Sequence, residues 1–291
     1  MSRLIILVGA VIALSALPGR ADTLRLATWN IGWLTDKPAT HPDVPDHVVT
    51  RTSSDFRLVR KYVDRLNADI VAFQEVDGEN NAAKVFDPRR YDIHITSETD
   101  IQRPGFAIRK GIRFQRHPDF AELDVIPNEV RTLRRGADIS VETRTGTLRL
   151  LAVHLKSGCP DGSVRGINRD CKLLFEQLPI LKKWIKARVQ ENVPYALLGD
   201  FNRQFGYQEP FWKELNQGTG GLFRVTEGLR SPCWGGQHPQ FIDHIVVGGA
   251  AIQWVVPRSV QVLVFDEKAP EFKYRISDHC PVSVRLNVSL N

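Results

Sequence analysis

The sequence predicts a mixed α/β sandwich, in which two layers of β-sheet form the core and helices cover them. Short apolar segments of strand length recur along the chain, and many are β-branched and bounded by Gly, Pro, Asn or Asp. Only two long segments show the apolar spacing of an amphipathic helix. Many strands with few helices fit two packed sheets with helices against them.

The predicted strands are apolar runs that stop at turn-forming or polar residues, which sets their bounds. In chain order they cover residues 24–28, 70–73, 91–95, 105–108, 137–142, 148–154, 195–198, 242–247, 259–265 and 281–286.

Two long helices interrupt the strands. Ser53 or Ser54 can cap the first, which runs to about Asn67 with apolar residues at helical spacing. The second covers about residues 171–189, and Pro179 within it predicts a kink or a break because proline lacks the amide hydrogen. A short third helix is predicted at 209–217, and polar surface loops around a site at 35–52, 96–104 and 155–170.

The N-terminus predicts a secretory signal peptide over residues 1–21. A basic residue precedes an apolar stretch at 4–17, and small residues follow it. That stretch is shorter than the ~20 residues of a membrane span, although an uncleaved anchor is the alternative. We expect cleavage after Ala21, which leaves residues 22–291 as a single domain, because they contain no repeat, low-complexity segment or flexible linker.

The net charge of the full chain is +6, from 39 basic and 33 acidic residues. Removal of Arg3 and Arg20 with the signal peptide leaves 37 basic and 33 acidic residues, or +4. This modest positive charge suits a polyanionic partner, and plain solubility explains it equally well.

The four cysteines form no CxxC pair, which argues against a zinc site. In an exported protein an even number of cysteines suggests disulfides. Of the three pairings we favour Cys159–Cys171, which closes a short loop, with Cys233–Cys280, which ties a loop to the chain end. Free buried thiols are the alternative.

Polar side chains stand where apolar segments stop, at six places along the chain. Asp200 and Asn202 are the most informative, because side chains two apart lie on one face of a strand. Oxygen ligands suit Mg²⁺, Mn²⁺ or Ca²⁺, and histidines move protons near neutral pH. With no Gly-rich phosphate loop and no Gly-x-Ser-x-Gly motif, this set predicts attack of water on a phosphate ester. The other boundary residues are Asn30, Glu75, His154, Asp243, Asp278 and His279.

The ordered motifs at these positions resemble those of the endonuclease/exonuclease/phosphatase superfamily, the fold of pancreatic deoxyribonuclease. The resemblance spans nearly all of the mature chain and implies a four-layer α/β/β/α sandwich, with two mixed sheets packed face to face and helices outside. The motifs are Trp-Asn (29–30), Gln-Glu-Val (74–76), His-Leu-Lys-Ser (154–157), Gly-Asp-Phe-Asn (199–202), Asp-His-Ile-Val-Val (243–247) and Ser-Asp-His (277–279).

The resemblance implies a divalent metal, Mg²⁺ first with Mn²⁺ or Ca²⁺ as alternatives. Glu75 would be the principal ligand, and Asp278 would add a contact. Asn30 would lie beside Glu75, either as a ligand or hydrogen-bonded to it.

The resemblance also implies the catalytic residues. His279 would act as a base toward water or as a cation on the phosphate, and Asp243 would hold it. Asp200 would orient or deprotonate the water, and Asn202 would hold a phosphate oxygen. His154 would be an acid for the leaving oxygen, with Glu98 orienting it.

Three functions remain open. The first is an exported nuclease on DNA, with RNA as a further substrate, in which Arg134, Arg135 and Lys156 contact substrate phosphates and the basic pair 109–110 lies near the cleft. The second is a phosphodiesterase or phosphatase on lipid head groups, and the third is a non-catalytic binding module on this fold. We expect a periplasmic or secreted monomer without a membrane anchor. The family often has Arg at the position of His244, and it stays open whether His244 contacts the substrate.

Overall fold

The structure, a computed structural model, describes residues 23–161, 168–206 and 208–289. The predicted signal peptide at 1–21 lies outside the described residues. Two six-stranded sheets pack face to face with helices on their outer sides, which confirms the predicted α/β/β/α sandwich. In the described part of the chain, no helix has the length and apolar character needed to cross a membrane.

Twelve strands and six α-helices are described in chain order. The strands are β1 (Thr23–Leu34), β2 (Ile70–Val76), β3 (Tyr91–Ile95), β4 (Arg103–Arg109), β5 (Phe114–Arg116), β6 (Ala137–Thr143), β7 (Gly146–His154), β8 (Tyr195–Asp200), β9 (Leu222–Arg224), β10 (Asp243–Gly248), β11 (Gln261–Val262) and β12 (Val282–Asn287). The helices are α1 (Ser53–Leu66), α2 (Gly78–Val85), α3 (Arg169–Gln190), α4 (Pro210–Asn216), α5 (Ala251–Trp254) and α6 (Phe272–Arg275).

Each sheet is mixed and contains one parallel pair. The first sheet has the order β11-β12-β1-β2-β4-β3, and the second has the order β5-β6-β7-β8-β10-β9. The pairs β1–β2 and β7–β8 are parallel, whereas β10 and β12 run antiparallel to β8 and β1. Consequently the ends of β1, β2, β7 and β8 and the starts of β10 and β12 meet at one edge of the sandwich.

Apolar side chains fill the three spaces between the four layers. Alternate residues of the two sheets, such as Leu26 and Phe106 facing Ile139 and Leu198, form the central core. A second cluster lies between the first sheet and helices α1 and α2, and a third between the second sheet and helices α3 and α4. The sheets are therefore covered on both faces, and only their edges and loops are free to form a site.

The N-cap of helix α1 lies one residue before the first of the two predicted caps. Thr52 is the N-cap: its hydroxyl accepts from the Asp55 amide at 3.3 Å, and the Asp55 carboxylate accepts from the Thr52 amide at 2.8 Å. This reciprocal pair satisfies two amide groups that a helix start otherwise leaves free. Ser53 and Ser54 are thus in the first turn, and the prediction that either caps the helix is wrong.

Helix α3 continues through Pro179, so the predicted kink does not break it. Pro179 lies on the exposed side of the helix, where water can bond the carbonyl that loses its partner. The sequence did not predict helices α2, α5 and α6 or strands β5 and β9. All five are short, and the two strands have three residues each, too few for a periodic pattern.

Two disulfides join the cysteines in the favoured pairs, Cys159–Cys171 and Cys233–Cys280. Their cysteines are separated by 12 and 47 residues. Because a cross-link restricts the unfolded chain more when its loop is longer, we expect a loss of about 3 kcal/mol for the first and about 4 kcal/mol for the second. Urea unfolding of the Cys159→Ser/Cys171→Ser and Cys233→Ser/Cys280→Ser variants measures both losses; equal or negligible losses would contradict this expectation.

Candidate active site

Four predicted site residues lie at the ends of the two parallel strand pairs. Asn30 is on β1 and Glu75 near the end of β2, while His154 and Asp200 are the last residues of β7 and β8. His154 is the register partner of Asp200, and Asp243 at the start of β10 is its partner on the other side. The two sheets therefore bring residues that are far apart in the sequence to one edge.

Glu75 occupies an irregular point of its strand. The register of β2 shifts between Phe73 and Val76, and Glu75 has a φ of 60°, a region that residues other than glycine rarely adopt. One oxygen of its carboxylate accepts from the Trp33 amide at 2.9 Å. A bulge held in this conformation turns a side chain toward a site at some cost in backbone energy.

Asn30 connects the two sheets. Its Nδ2 donates to Glu75 Oε1 and to Asp200 Oδ2, both at 3.0 Å, while its Oδ1 accepts from the Gly32 amide at 2.9 Å. The amide nitrogen, not the oxygen, thus faces the carboxylates. This arrangement agrees with the predicted hydrogen-bonding role of Asn30, and its role as a direct metal ligand stays a prediction.

His279 and Asp243 form the strongest charged contact of the site. His279 Nδ1 lies 2.8 Å from Asp243 Oδ2. Burial opposes the charged imidazolium, but the carboxylates of Asp243, Asp278 and Asp200 outweigh it and raise the pKa of His279 well above its usual value. His279 is therefore protonated at neutral pH, which favours the predicted cationic role over the role of base.

Replacing Asp243 by Asn tests this contact through the pH dependence of the rate. The Asp243 carboxylate favours the charged imidazolium, so its loss lowers the pKa of His279. If activity requires protonated His279, the alkaline decline of the rate moves to lower pH in Asp243→Asn. A pH profile of kcat at saturating metal measures this; an alkaline limb at the same pH as in the wild type would contradict the assignment.

Asp200 is the buried carboxylate at the centre of the site. Burial, with a further contribution from the Asp243 charge, raises its pKa to about 7. Oδ1 accepts from the Asn202 amide at 2.7 Å, and Oδ2 lies 3.8 Å from His154 Nε2 and 4.0 Å from His279 Nε2. A carboxylate with a pKa near neutrality suits general base catalysis.

Asn202 follows Asp200 in a left-handed conformation, with a φ of 52°. Its Nδ2 donates to the Leu155 carbonyl at 3.0 Å, which fixes the side chain beside the end of β7. The amide oxygen and the second amide hydrogen remain for a substrate, so the predicted contact with phosphate stays a prediction.

His154 is buried and faces the carboxylates through Nε2, which lies 3.6 Å from Glu75 Oε1. Burial, reinforced by the nearby Arg134 charge, lowers its pKa well below the usual value. The 3.6–4.0 Å separations between these histidine nitrogens and carboxylate oxygens exceed hydrogen-bond length. One oxygen atom of a substrate or water can thus bridge each pair.

The prediction that Glu98 orients His154 is wrong in this structure. Glu98 accepts from the Thr96 hydroxyl at 3.0 Å and from the Arg135 amide at 3.1 Å, and burial raises its pKa to about 7. The Nδ1 atom of His154 instead lies 3.5 Å from the Gln102 carbonyl. The sequence could not predict the contact between His154 and Gln102, because every residue has a backbone carbonyl.

The predicted phosphate-binding cations differ in availability. Arg134 is buried and donates to the Leu155 carbonyl at 3.1 Å, with its Nε lacking a hydrogen-bond partner among the described residues. Arg135 is partly exposed and lies beside Glu98. Lys156 pairs with Asp170 at 2.8 Å and donates to the Ser157 carbonyl, so its ammonium group is already engaged.

The basic pair at 109–110 lies away from the site, which corrects the prediction that it borders the cleft. Ile108 pairs with Ile70, the first residue of β2, so Arg109 lies at the opposite end of that strand from Glu75. The Arg109 side chain bonds Asp69 at 3.1 Å. Lys110 pairs with Asp92 at 3.1 Å. Both cations therefore serve local ion pairs.

The oxygen atoms around Glu75 fit a hard divalent cation. The carboxylates of Glu75 and Asp278 both act on the buried Arg51, and Asp278 remains largely exposed beside the site. Glu75 and Asp278 would hold the ion, since carboxylate oxygen is the donor that Mg²⁺ prefers. Asp200, Asp243 and His279 also lie within 4.8 Å of one another. Within that group His279 Nδ1 and Asp243 Oδ2 already contact each other at 2.8 Å, so we assign it to hydrogen bonding.

Arg51 and Ser277 are positioning residues that the sequence did not reveal. Arg51 donates to the carbonyls of Ile31 and Trp33, both at 2.7 Å, and to that of Ile276 at 2.8 Å. Ser277 donates to the Asn30 carbonyl at 2.7 Å and accepts from the His279 amide at 2.9 Å. Together they tie the loop that carries His279 to the end of β1. Arg51 falls in a segment predicted only as a surface loop, where nothing marks it as buried.

A cavity of about 410 Å³ opens beside His279. Trp234, Lys273, Tyr274, Asp243 and Asp278 are among its lining residues. The cavity has space for a substrate group next to the reacting phosphate.

His244 is an interior residue, which answers the question left by the sequence. Its Nε2 lies 2.9 Å from the Arg203 carbonyl, and its ring stacks on Phe205 at 4.2 Å. Burial lowers its pKa to about 3, so the ring is neutral. It fills its place in the fold and carries no charge toward a substrate.

The comparison with protein families matches residues 27–279 to the model of the Endonuclease/Exonuclease/phosphatase family. This match covers most of the chain and all the strand-end residues described above. No curated protein sequence matches the chain significantly.

Solved structures share the fold at low sequence identity. Humanized D. rerio TDP2 has 17% identity and a TM-score of 0.59, covering 91% of this chain and 99% of its own. The human Nocturnin catalytic domain with bound sulfate has 14% identity and a TM-score of 0.58, covering 91% and 94%. A Beutenbergia cavernae endonuclease/exonuclease/phosphatase has 17% identity and a TM-score of 0.57, covering 93% and 72%. At such identities the likeness shows the fold alone.

Proposed function

Because the chain belongs to the Endonuclease/Exonuclease/phosphatase family, we propose that it is an exported, metal-dependent phosphodiester hydrolase that cleaves DNA, with RNA as the second candidate nucleic acid. Members of this family are generally hydrolases of phosphodiester bonds that depend on a divalent metal. The nuclease activity, the substrate and the export are the proposed part.

The observation that carries the proposal is the pairing of an acid with a base at one edge. His279, protonated through Asp243, and Asp200, with a pKa of about 7, face each other at 4.0 Å. Each pKa suits the role of its group, since His279 offers a positive charge and Asp200 takes a proton near neutral pH. A binding module without catalysis has no need of such a pair.

The reaction that this geometry supports is direct attack of water on phosphorus. Asp200 takes a proton from the water as the new P–O bond forms and the bond to the leaving oxygen breaks. The His279 imidazolium offsets the negative charge on the phosphate oxygens. Asn202 holds one of these oxygens, and the leaving oxygen takes its proton from solvent. His154 faces the Gln102 carbonyl through Nδ1 at 3.5 Å, so its single N–H lies there and Nε2 presents a lone pair to the site.

A divalent cation, when bound at Glu75 and Asp278, supplies positive charge that polarises the phosphate. The chain's own contribution is to orient these carboxylates. The Asn30 amide and the Trp33 amide hold Glu75, and the Arg51 guanidinium lies near both carboxylates.

A nucleic acid substrate is supported by charge. The net charge of +4 that remains after removal of residues 1–21 favours a polyanion, and Arg131 and Arg135 remain accessible on the loop before β6. The main alternative is a lipid phosphodiesterase or phosphatase of the same family. Export is supported by the two disulfides, which persist in oxidising compartments.

The test compares substrates in parallel. Purified mature protein is incubated with Mg²⁺ or Mn²⁺ and with plasmid DNA, single-stranded DNA, RNA, sphingomyelin and phosphoinositides, with EDTA as the control. We expect nicking of plasmid DNA that EDTA abolishes. Hydrolysis of the lipids alone would overturn the nuclease proposal and favour the alternative.

A further inference from the structure

A second cavity of about 340 Å³ adjoins the one beside His279. The two share Gln204, Gln240 and Phe241 in their walls. The second cavity is bordered by the end of β9 and by the loop that precedes α4, and Arg224 and Arg230 both line it. The mechanism proposed above uses neither arginine.

Arg224 is a buried cation that lacks a hydrogen-bond partner at one nitrogen. Its relative exposure is 5%, and NH1 bonds nothing among the described residues. Its nearest carboxylate is Glu227, 3.9 Å from NH2 and itself half exposed. Burying a charge without full pairing is costly, so native proteins rarely retain such a group without a ligand, an ion or a water.

The Arg224 side chain is held in place by aromatic rings. Its guanidinium carbon lies 5.0 Å from the Trp212 ring centre and 6.0 Å from that of Phe205. Rings on which a guanidinium stacks restrict its motion. The cation is thus already oriented before any ligand arrives.

The other charged groups of this cavity leave room for an anion. Glu209 already accepts from the Arg203 guanidinium at 2.6 Å and caps α4. His244 is neutral, Asp161 is exposed at the rim, and Arg230 adds an exposed positive charge. Arg224 and Arg230 therefore give the cavity two positive charges, which face the carboxylates of Glu209, also acting on Arg224, and Asp161.

We propose that Arg224 forms an anion subsite that binds a second phosphate group of the substrate, next to the cavity that receives the reacting phosphate. Arg224 pairs with Val246, three residues along β10 from Asp243 and one strand away, so the side chains of Arg224 and Asp243 point to opposite faces of the second sheet. Strand geometry then puts the two Cα atoms about 11 Å apart, too far for one phosphate to bind both. This inference rests on the proposed function and narrows it to substrates with at least two phosphate groups.

The test uses thymidine dinucleotides with one phosphodiester and either no terminal phosphate, a 5′-phosphate or a 3′-phosphate. Titration calorimetry measures the affinity of each dinucleotide for the mature protein. The protein is kept metal-free so that no hydrolysis occurs during the measurement. One phosphorylated dinucleotide should bind at least about 10-fold more tightly than the unphosphorylated one, the size expected for a charge-assisted bond. Arg224→Met should abolish this excess, and Arg224→Lys should retain part of it.

Arg188→Met is the matched control. Arg188 is also buried and lies 5.0 Å from a tryptophan ring, that of Trp184, but its guanidinium is paired with Glu191 at 2.8 Å. Arg188→Met should keep the full excess, so a loss in both variants would mean a general effect on folding and would overturn the inference. Thermal unfolding of each variant verifies that it is folded.

The outcomes separate this inference from the proposed function. Equal binding of all three dinucleotides to the wild type, or an excess that survives in Arg224→Met, overturns the subsite. Inorganic phosphate alone is also titrated. If it binds with a free energy as large as the difference between the phosphorylated and unphosphorylated dinucleotides, the site belongs to a free anion and the substrate assignment is overturned. An excess that depends on Arg224, without hydrolysis of any dinucleotide or plasmid in Mg²⁺, upholds the subsite and refutes the nuclease proposal.

Discussion

Replacing His279 by alanine is expected to lower kcat for plasmid cleavage by about 10³-fold or more. Its imidazolium is the protonated group that faces Asp200, and removal of one member of a catalytic group typically costs two to four orders of magnitude. Initial rates of plasmid nicking at saturating Mg²⁺ measure the loss.

His94→Ala is the control for the loss of a buried histidine. His94 lies on β3 in the first sheet, is also buried, and belongs to no contact described in the site. We expect His94→Ala to lower the unfolding temperature while the specific activity of the folded protein stays within about twofold, since the residue touches no substrate. Near-normal turnover in His279→Ala would refute the mechanism.

Replacing Glu75 by Gln is expected to weaken divalent metal binding by at least about 100-fold and to reduce activity in proportion at limiting metal. Glutamine keeps the shape and the strained backbone position but removes the charge that a hard cation requires. Calorimetric titration with Mn²⁺ and the Mg²⁺ dependence of the rate both measure the affinity of the site for a divalent metal.

Glu98→Gln is the matched control for this substitution. Glu98 is another buried carboxyl group near the site, but its contacts are Thr96 and Arg135. Metal affinity should therefore be unchanged in Glu98→Gln. Unchanged metal dependence in Glu75→Gln would remove Glu75 from the metal site and leave Asp200, Asp243 and His279 as the group to test.

Much of the fold was predictable because each element carries its own pattern. Strand β3 has the predicted bounds, and helices α1 and α3 differ from their predictions by one or two residues at each end. The convergence of Asn30, Glu75, His154 and Asp200 was predictable in kind, since polar residues that end buried strands must go to a common rim. The family resemblance supplied the roles that the pattern alone left open.

The parts that could not be predicted depend on tertiary contacts. Arg51 binds the carbonyl groups of four distant residues, and no local pattern distinguishes it from a solvated arginine. Glu98 and His154 have different partners from those expected, because one binds Arg135 and the other faces a backbone carbonyl. The burial of Arg224 in a three-residue strand is likewise a result of packing against Trp212.

The most direct measurement compares plasmid nicking by the wild type and by Asp200→Asn, at equal concentrations of folded protein with saturating Mg²⁺. Asparagine keeps the size of Asp200 but cannot take a proton from water, so we expect nicking by the wild type and a rate lower by about 10³-fold or more in Asp200→Asn. Nicking by Asp200→Asn at the wild-type rate would contradict water attack at this edge of the sandwich.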